Sequence, residues 1–394
     1  MAHLFKAAAF YLASERRTLD TAVASIHCAQ ELVNTGHANE REKMLTQAVS
    51  QLVGGNWSQA SQSLDQLLCQ YPQDVFALQI GHVLDFFCGD AASLRNRPAR
   101  VIPALSTSMP GYSYVLGMFA FGLEECNQYS QAEEWGLKAL EIDPVDPWSV
   151  HAVTHVYEMQ GRADVGVEFL ESRKNNWAND NNFAYHNWWH KGLLHLELEE
   201  DQTAFELLDR HIISDIDDAL VLLDVTAMLW RLYLLGHNTT SRFAPLADVW
   251  AEKMQTEVGF YAFNDYHAAL SFVATEREQS LNTLFENMQA AAQSSSTPHS
   301  NILMLTKVGI PLVKSCIAYL QKDWVGSVDL LCEIRHIAHQ FGGSHAQRDI
   351  VNLSLLSAAK KAQNDHLVRN LLNERSMLKP SGILGRRVVQ GSQN

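Results

Sequence analysis

Repeated helical segments are the feature of this sequence that most restricts its fold. Residues 55–72 read GNWSQASQSLDQLLCQYP, and residues 126–144 read CNQYSQAEEWGLKALEIDP. Three positions correspond, and the members of each pair are 72 residues apart, which is twice 36: Trp57 with Tyr129, Ala60 with Ala132, and Pro72 with Pro144. In each copy the small residue lets two helices approach closely, an aromatic ring fills the gap, and the proline ends the second helix. A period of this length predicts stacked helix pairs that bury a continuous core.

Two further copies support the repeat. The segment GRADVGVEFL places Gly166 34 residues after Ala132, in the same small-residue position. A later segment, DWVGSVDLL, has Trp324 and Ser327 in the aromatic and small-residue positions. These positions resemble the second half of the tetratricopeptide repeat consensus. Elsewhere apolar residues recur at three- and four-residue spacing, which is typical of amphipathic helices, and strand patterns are almost absent.

The pattern predicts an all-α protein, a tetratricopeptide-like superhelix (solenoid) that forms a single continuous body. We expect the superhelix to extend over residues 1–380, with its clearest repeats in residues 44–215. We expect an irregular C-terminal tail at 381–394 and a Ser-rich loop at 289–300. A single helix is expected over residues 325–341.

Composition argues against several classes of function. The net charge of −14 argues against nucleic acid or an anionic membrane surface as a partner, because both attract clustered Lys and Arg. We expect no membrane-spanning segment, and the N-terminal residues lack the basic start and the cleavage site of a signal peptide. The six cysteines are scattered and form no C-x-x-C pair, which is typical of a reduced, cytoplasmic protein. The chain contains 17 histidines, and this number indicates a functional site.

Two histidine pairs occupy similar places in neighbouring repeats. His151 and His155 form one H-x-x-x-H pair, and His186 and His190 form the other, 35 residues later. Residues four apart lie on one face of a helix. The first helices of successive repeats pack side by side, about 8–10 Å apart. The spacing therefore predicts a cluster of four histidines on the inner surface of the superhelix, with Glu158 close by.

These four histidines are candidate ligands of a divalent transition metal, because imidazoles at i and i+4 chelate such an ion from one helix. The cluster would also suit acid–base catalysis. The candidate catalytic residues are His155, His190, Glu158 and His267, the last in the segment FNDYHAAL. The structural alternative is that the histidines hydrogen-bond between helices and pack against Trp188 and Trp189. The segment HAVTH lacks the glutamate of H-E-x-x-H, which excludes that metalloprotease motif.

Further polar residues are expected to line the pocket or to bind its ligand. They are Glu124, Asn187, Trp188, Asp224, Asp265 and Arg348. Glu124 is expected near Glu158, where two converging carboxylates would raise one pKa. The segment GGSHAQRD has a capping-box pattern, and its helix start together with Arg348 would also receive an anion. For Asp265, stabilisation of a helix start is an alternative as well supported as ligand binding. Glu125 is expected on a solvated face.

Five segments of the chain resemble the tetratricopeptide repeat protein 38 family. They are PGYSYVLGMFAFGLEE at 110–125, HAVTHVYEMQGR at 151–162, NNFAYHNWWH at 181–190, FNDYHA at 263–268 and GGSHAQRD at 342–349. The resemblance implies an all-helical, tetratricopeptide-like body, and a further N-terminal helical segment before the part that matches AHLFKAAAFYL. Without that segment, the first helix pair would be open to a partner or to a homo-oligomer contact. The resemblance implies no particular reaction.

Two hypotheses of function follow. The leading one is a histidine- and carboxylate-lined inner pocket that binds a small molecule, with acid–base or metal-assisted chemistry if the protein is an enzyme. The competing one is a scaffold that binds a peptide or a protein in a concave groove. Such a groove should be open and lined by dispersed Asn, Lys and Arg rather than by clustered histidines. The chain has no G-x-S-x-G, Walker or Rossmann motif, which argues against the reactions that depend on them.

Overall fold

The secondary structure of the chain is helical. The computed structural model describes residues 1–294 and 299–391, with only the backbone of His299, and these residues contain no strand. Successive helices pack against one another along the chain. The predicted all-α superhelix of helical repeats is therefore confirmed.

The first ten helices form pairs that stack in order. They are α1 (Ala2–Leu12), α2 (Leu19–Asn34), α3 (Glu40–Val53), α4 (Trp57–Gln70), α5 (Val75–Phe87), α6 (Ala91–Val101), α7 (Tyr112–Glu125), α8 (Tyr129–Ile142), α9 (Pro147–Met159) and α10 (Ala163–Ser172). Short 3-10 turns precede α2 at Arg16–Thr18 and follow α6 at Ile102–Ala104. The pairs α3 with α4 and α7 with α8 are among the most closely packed, as the repeat predicts.

The repeat positions have the roles that the sequence predicts. Ala60 and Ala132 are fully buried between helices. At Gly166 an added Cβ atom would lie 2.8 Å from a methyl carbon of Leu194, so α10 approaches α12 too closely for a larger residue. Helices α4 and α8 both end two residues before their prolines. The periodic residues thus set the spacing and the ends of the helices.

Thirteen further helices complete the described part of the chain. They are α11 (Lys174–Trp177), α12 (Ala184–Glu197), α13 (Asp201–Leu207), α14 (Ala219–Leu234), α15 (Thr240–Lys253), α16 (Ala262–Ala274), α17 (Glu278–Gln293), α18 (His299–Met304), α19 (Ile310–Leu320), α20 (Trp324–Ile334), α21 (His345–Lys361), α22 (Asp365–Leu378) and α23 (Leu384–Gly391), with π-helical turns at Leu208–Ile212 and Leu305–Gly309. Helix α17 extends into the loop expected at 289–300. Residues 295–298 of that loop and residues 392–394 of the tail lie outside the described residues.

The helix expected over residues 325–341 is interrupted. It ends at Ile334, and a separate 3-10 helix follows at Ala338–Phe341. Gly342 and Gly343 then adopt φ angles of 84° and 79°, which glycine tolerates without steric cost. This turn directs the chain into α21.

The C-terminal tail is helical rather than irregular where the structure describes it. Helix α23 packs on α21, and its Val388 is fully buried. The backbone N–H groups of Ile383 and Leu384 donate to Glu197 Oε2 at 2.7 and 2.9 Å, which satisfies the start of the helix. The expectation of an irregular tail is wrong because tertiary contacts, rather than local propensity, stabilise so short a helix.

Helix α21 runs through the interior of the superhelix. It is buried along most of its length and packs against α9, α14 and α20. Segments far apart in sequence meet around it. Asn264 Nδ2 donates to the Ser14 carbonyl at 3.1 Å, and the Trp57 N–H donates to Ser300 Oγ at 3.1 Å. Contacts between distant segments therefore hold the helices together in addition to the contacts within the repeats.

One helical stretch is long and apolar enough to cross a membrane by length and composition. It covers Ser300–Leu320, 21 residues, of which an 18-residue window has a mean hydropathy of 1.5, so the expectation that no segment meets this criterion is wrong. Half of that window is buried within the protein, and α19 packs against α16, α17 and α20. These contacts are those of a core helix.

Candidate metal centre

Four histidine rings meet at the interface of α9 and α12. One ring nitrogen from each of His151, His155, His186 and His190 lies within 4.8 Å of the corresponding nitrogen of the others. The closest ring centroids, those of His155 and His190, are 4.3 Å apart. All four residues are buried. The packing of α12 against α9 brings the pairs together. Asp146 caps the start of α9, where its carboxylate accepts the Trp148 N–H at 3.0 Å.

Buried carboxylates contact three of the four rings at Nδ1. His186 Nδ1 lies 2.6 Å from Asp224 Oδ2, and His190 Nδ1 lies 2.9 Å from Glu158 Oε2. The third contact is longer. His155 Nδ1 stands 3.5 Å from Glu124 Oε2. A histidine held by a carboxylate at one nitrogen presents the other, Nε2, to its surroundings, which is the usual arrangement of histidine ligands in metal sites.

His151 completes the cluster in an aromatic setting. Its Nε2 lies 3.0 Å from His155 Nε2, and its ring packs against Phe121, Trp148 and Phe183 at centroid distances of 5.1 to 5.2 Å. Its Nδ1 has no hydrogen-bond partner among the described residues. The rings around it make this side of the cluster apolar.

Burial and crowding keep the imidazoles of His151 and His190 uncharged. Burial lowers the pKa of His151 well below its ordinary value, and the neighbouring His155 and His190 lower it further. Burial likewise lowers the pKa of His190, with contributions from His155 and His186. The uncharged imidazole is the form that binds a metal ion.

The carboxylate of Glu124 is charged. Burial alone would raise its pKa, but His155 and His345 outweigh that effect and bring the pKa to about 2. The prediction that Glu124 and Glu158 converge and that one of their pKa values rises is wrong, because Glu124 faces His155 while Glu158 faces His190. Each acid therefore has its own histidine.

A second layer of charges surrounds the cluster. Lys379 Nζ lies 3.3 Å from Glu158 Oε1 and 4.0 Å from Glu197 Oε1, and these carboxylates outweigh the effect of burial and raise the pKa of Lys379. His345 Nδ1 lies 3.6 Å from Glu124 Oε1. Lys379 and His345 lie beside the cluster because the C-terminal helices fold back onto the earlier ones. The period of the repeats therefore does not predict their positions.

The adjacent acid, Glu125, is buried rather than solvated. Its carboxylate pairs with Arg348 Nη2 at 3.0 Å and accepts the backbone N–H of His345 at 2.7 Å. Glu124, Glu125 and His345 form a second group with metal-ligand spacing. Arg348 already neutralises Glu125 there, so this group is a weaker site for a cation than the four histidines. Arg348 is likewise engaged, and it does not present a free guanidinium to an anion.

Two residues of the segment FNDYHAAL lie outside the cluster. His267 Nδ1 bonds to the Phe263 carbonyl of its own helix at 2.7 Å, and burial lowers the pKa of the ring to about 4. Asp265 accepts the Gly259 N–H at 3.2 Å, and burial raises its pKa to about 8. Both side chains bond to the protein's own backbone, so His267, predicted as catalytic, and Asp265, predicted to bind the ligand, do not join the four histidines.

The central residues of the NNFAYHNWWH segment have different roles. Asn187 Nδ2 donates to the Pro147 carbonyl at 3.1 Å and holds α12 against the start of α9. Trp188 packs against Trp177 and His211, away from the cluster. Trp189 instead stacks on His186 at 5.3 Å, because a residue three positions along a helix lies on the same face.

A cavity of ≈ 170 Å³ adjoins the histidine cluster. Helices α5, α7, α9, α12, α14 and α21 contribute to its wall, which is largely aromatic and aliphatic. His151 and His186 of the cluster line the cavity, as does Asp224, which contacts His186. His82 lines the cavity but is not part of the cluster. His82 was not predicted, since a single histidine in an apolar helix gives no sequence signal.

The residues of the cluster fit a transition-metal ion. Four imidazoles without a thiolate suit zinc, iron, copper or nickel. In a tetrahedral zinc site with bonds of about 2.0–2.1 Å, ligand nitrogens stand about 3.4 Å apart. The separations of up to 4.8 Å in the structure would need to contract by as much as about 1.4 Å. A comparison with models of known protein families finds no match for this chain.

Proposed function

We propose that this protein binds a divalent transition-metal ion through His151, His155, His186 and His190, and uses it to bind or transform a small molecule. The carboxylate contacts of three rings carry this proposal. With Nδ1 facing Glu124, Glu158 or Asp224, each of these histidines turns Nε2 inward.

Hydrogen bonding among the histidines alone explains the cluster less well. An uncharged imidazole has one N–H donor and one acceptor nitrogen. If the rings of His186 and His190 donate from Nδ1 to their carboxylates, the Nε2 atom of each is left with a lone pair. His155 Nδ1 and the Glu124 carboxylate, 3.5 Å apart, have no hydrogen-bond partner among the described residues. His190 Nε2 has no hydrogen-bond partner among the described residues, and a buried unsatisfied group costs about 1–3 kcal/mol. A cation would satisfy all of these lone pairs together.

A metal ion on uncharged ligands keeps its full positive charge and would act as a Lewis acid, or lower the pKa of a bound water to about 7. The chain supplies the groups around it. Glu124 and Glu158 orient His155 and His190, and Lys379 balances the charge of Glu158. The aromatic rings beside His151 limit access by water.

The closed interior favours a small molecule over a peptide as the ligand. Helix α21 packs against α9 and α14 and so covers surface of these helices that would otherwise be open to an extended peptide. The cavity of ≈ 170 Å³ adjoining the cluster is too small for a folded segment of a partner. A scaffold with a concave peptide groove is therefore the less well supported alternative.

Membership in the tetratricopeptide repeat protein 38 family is part of the proposal and rests on the motifs HAVTHVYEMQGR and NNFAYHNWWH. Both motifs contribute their histidines to the cluster, and Glu158 in the first contacts His190 in the second. The polar residues that carry the resemblance are thus in contact in the structure.

Metal analysis of the purified protein tests the function. We expect one transition-metal ion per chain by elemental analysis, and a Co²⁺ absorption spectrum typical of nitrogen ligands after exchange. His155→Ala and His190→Ala should lose the ion while keeping wild-type helicity by circular dichroism. His195→Ala is the matched control, because His195 lies on the same helix but contacts Glu200 instead of the cluster. Wild-type protein that takes up neither Zn²⁺ nor Co²⁺ would overturn the proposal.

A further inference from the structure

The second group of residues with metal-ligand spacing contacts Glu124 on the side opposite to the histidine cluster. Glu124 and Glu125 end α7, and His345 begins α21. His345 Nδ1 lies 3.6 Å from Glu124 Oε1 and 3.9 Å from Glu125 Oε1. Three ligands spaced evenly around an ion, with bonds of about 2.1 Å, stand about 3.6 Å apart. The two separations from His345 are therefore close to those across a bound metal ion.

Glu124 is the member of this group that most lacks a partner. Its side chain is completely buried, and neither of its oxygens accepts a hydrogen bond from a described residue. Buried charges in proteins are almost always paired with an opposite charge or bound to a metal. The imidazoles of His155 and His345, at 3.5 and 3.6 Å, are both beyond hydrogen-bond distance. A cation between Glu124 and His345 would supply the missing partner.

A proton on His345 is the alternative to a metal ion. Burial lowers the pKa of His345, but Glu125 and Glu124 outweigh that effect and raise it. A protonated imidazole would form a charge-assisted hydrogen bond of about 2.7–2.9 Å to one of these carboxylates. Instead, His345 Nδ1 has no hydrogen-bond partner among the described residues and lies more than 3.5 Å from both oxygens. This open spacing fits a shared metal ion better than a shared proton.

The charges and ligand atoms of the group suit a divalent ion that prefers oxygen. Arg348 Nη2 lies 3.0 Å from Glu125 Oε2 and balances one of the two carboxylate charges, which leaves one negative charge for the ion. Glu125 Oε1, the oxygen that faces His345, is not the one that contacts Arg348. Two carboxylate oxygens and one imidazole suit an ion such as Mn²⁺, whereas four imidazoles favour later metals of the series. The two groups therefore differ in the metal that they prefer.

His345 connects the buried carboxylates to solvent. Its side chain is 23% exposed, and it lines a surface cavity of ≈ 500 Å³ together with Arg348 and Asp90. Exposed side chains change rotamer within nanoseconds. A rotation of the His345 ring would open a path from this cavity to Glu124 and Glu125, and its return would bring the third ligand onto the ion. Three protein ligands leave a further position for water.

We propose that Glu124, Glu125 and His345 bind a second divalent metal ion, of the class of Mn²⁺. Glu124 then serves both ions, because its Oε1 binds the second ion and its Oε2 faces His155 of the four-histidine cluster. The second ion is bound more weakly than the first, since Arg348 competes for Glu125. Its binding goes beyond the proposed function and does not require an ion at the four histidines.

Electron paramagnetic resonance of added Mn²⁺ tests the second site on the full chain. One equivalent of Zn²⁺ first occupies the four histidines, and the loss of the free Mn²⁺ signal then measures binding. We expect one Mn²⁺ per chain. His345→Ala removes one ligand and retains α21, because alanine favours a helix, and it should weaken Mn²⁺ binding more than about tenfold.

His339→Ala is the matched control for His345→Ala. His339 is an exposed histidine that lines the same surface cavity, and it is not a member of the ligand group. Its variant should bind Mn²⁺ within threefold of wild type. The inference is overturned if wild-type protein binds no Mn²⁺, if folded His345→Ala binds Mn²⁺ as tightly as wild type, or if His339→Ala weakens binding equally.

His190→Ala separates the second ion from the first. This variant should lose Zn²⁺ at the histidine cluster and, without zinc, bind one Mn²⁺ at least as tightly as zinc-loaded wild type, because His190 contacts Glu158 and not Glu124. If His190→Ala loses Zn²⁺ and Mn²⁺ alike, the Mn²⁺ was held by the four histidines and the inference fails. Wild-type protein that binds Mn²⁺ through His345 but takes up no Zn²⁺ would refute the four-histidine centre alone.

Discussion

Glu158 is the residue at which the proposed metal centre is most open to a quantitative test. Its Oε2 lies 2.9 Å from His190 Nδ1, and its Oε1 lies 3.3 Å from Lys379 Nζ. Glu158→Gln keeps the shape and an oxygen that accepts the His190 N–H, and it removes the negative charge. His190 then becomes a less basic ligand. Loss of such a carboxylate contact typically lowers metal affinity 10- to 100-fold, about 1.4–2.7 kcal/mol.

The same change has a calculable effect on stability. At a free metal concentration of 100 times the wild-type Kd, binding raises the free energy of unfolding by about 2.7 kcal/mol. A variant that binds about thirtyfold more weakly would gain only about 0.9 kcal/mol at that concentration. Chelator competition gives the affinities, and chemical unfolding with and without metal gives the stabilities.

Glu197→Gln is the matched control for Glu158→Gln. Glu197 contacts the same Lys379, at 4.0 Å, and the backbone at the start of α23, but no histidine of the cluster. It should reduce the stability of the metal-free protein and leave the metal Kd within threefold of wild type. The reasoning is refuted if Glu158→Gln binds metal as tightly as wild type, or if Glu197→Gln weakens binding equally.

Three other predictions concern stability. Lys379→Met leaves Glu158 without its cation, so the free energy of unfolding of the metal-free protein should fall by about 3–5 kcal/mol. Metal affinity, measured by chelator competition, should rise about tenfold. An unchanged affinity would contradict this prediction. Burial lowers the pKa of His267 to about 4, so the unfolded chain takes up a proton first as pH falls below 6.5. The free energy of unfolding should therefore be about 1.4 kcal/mol lower at pH 5.5 than at pH 7.5 because of His267. In urea unfolding, His267→Gln should lose about 1.4 kcal/mol less than wild type between these two pH values. Arg97→Met breaks a buried ion pair with Asp85 (Nε to Oδ2, 2.7 Å) and should lower the free energy of unfolding in urea by about 3–5 kcal/mol. The control Arg100→Met removes a more exposed ion pair and should lower it by less than about 0.5 kcal/mol. Equal losses for the two variants would refute the distinction.

The helical-repeat fold was predictable because its signals are local. Ala60, Ala132 and Gly166 lie where helices touch, and each position can be recognised from neighbours within one repeat. The four-histidine cluster followed from the same regularity, since an offset of 35 residues places two pairs on adjacent inner helices. Neither inference required knowledge of distant contacts.

The remainder of the site depends on contacts that periodicity does not encode. Lys379 reaches Glu158 across 221 positions of sequence, and the Glu125 carboxylate accepts the His345 N–H across 220. Trp188 and Trp189 are adjacent in sequence, and only the register of α12 decides which one stacks on His186. His267 occurs in a motif as suggestive as the others, but its Nδ1 bonds within its own helix.

The folding back of α21 to α23 also bears on how the protein matures. During synthesis the helices that carry the four histidines emerge well before Lys379 and α21, and repeat units of this kind fold against their nearest neighbours. The nascent superhelix would therefore present its histidine pairs on an accessible face until the later helices arrive. The proposed metal ion would reach the histidines most easily in that interval, and α21, which packs against α9, would hinder its release afterwards. The order of synthesis would then set the order of assembly: the histidine ligands would fold first, the proposed ion would bind next, and the C-terminal helices would cover the site last.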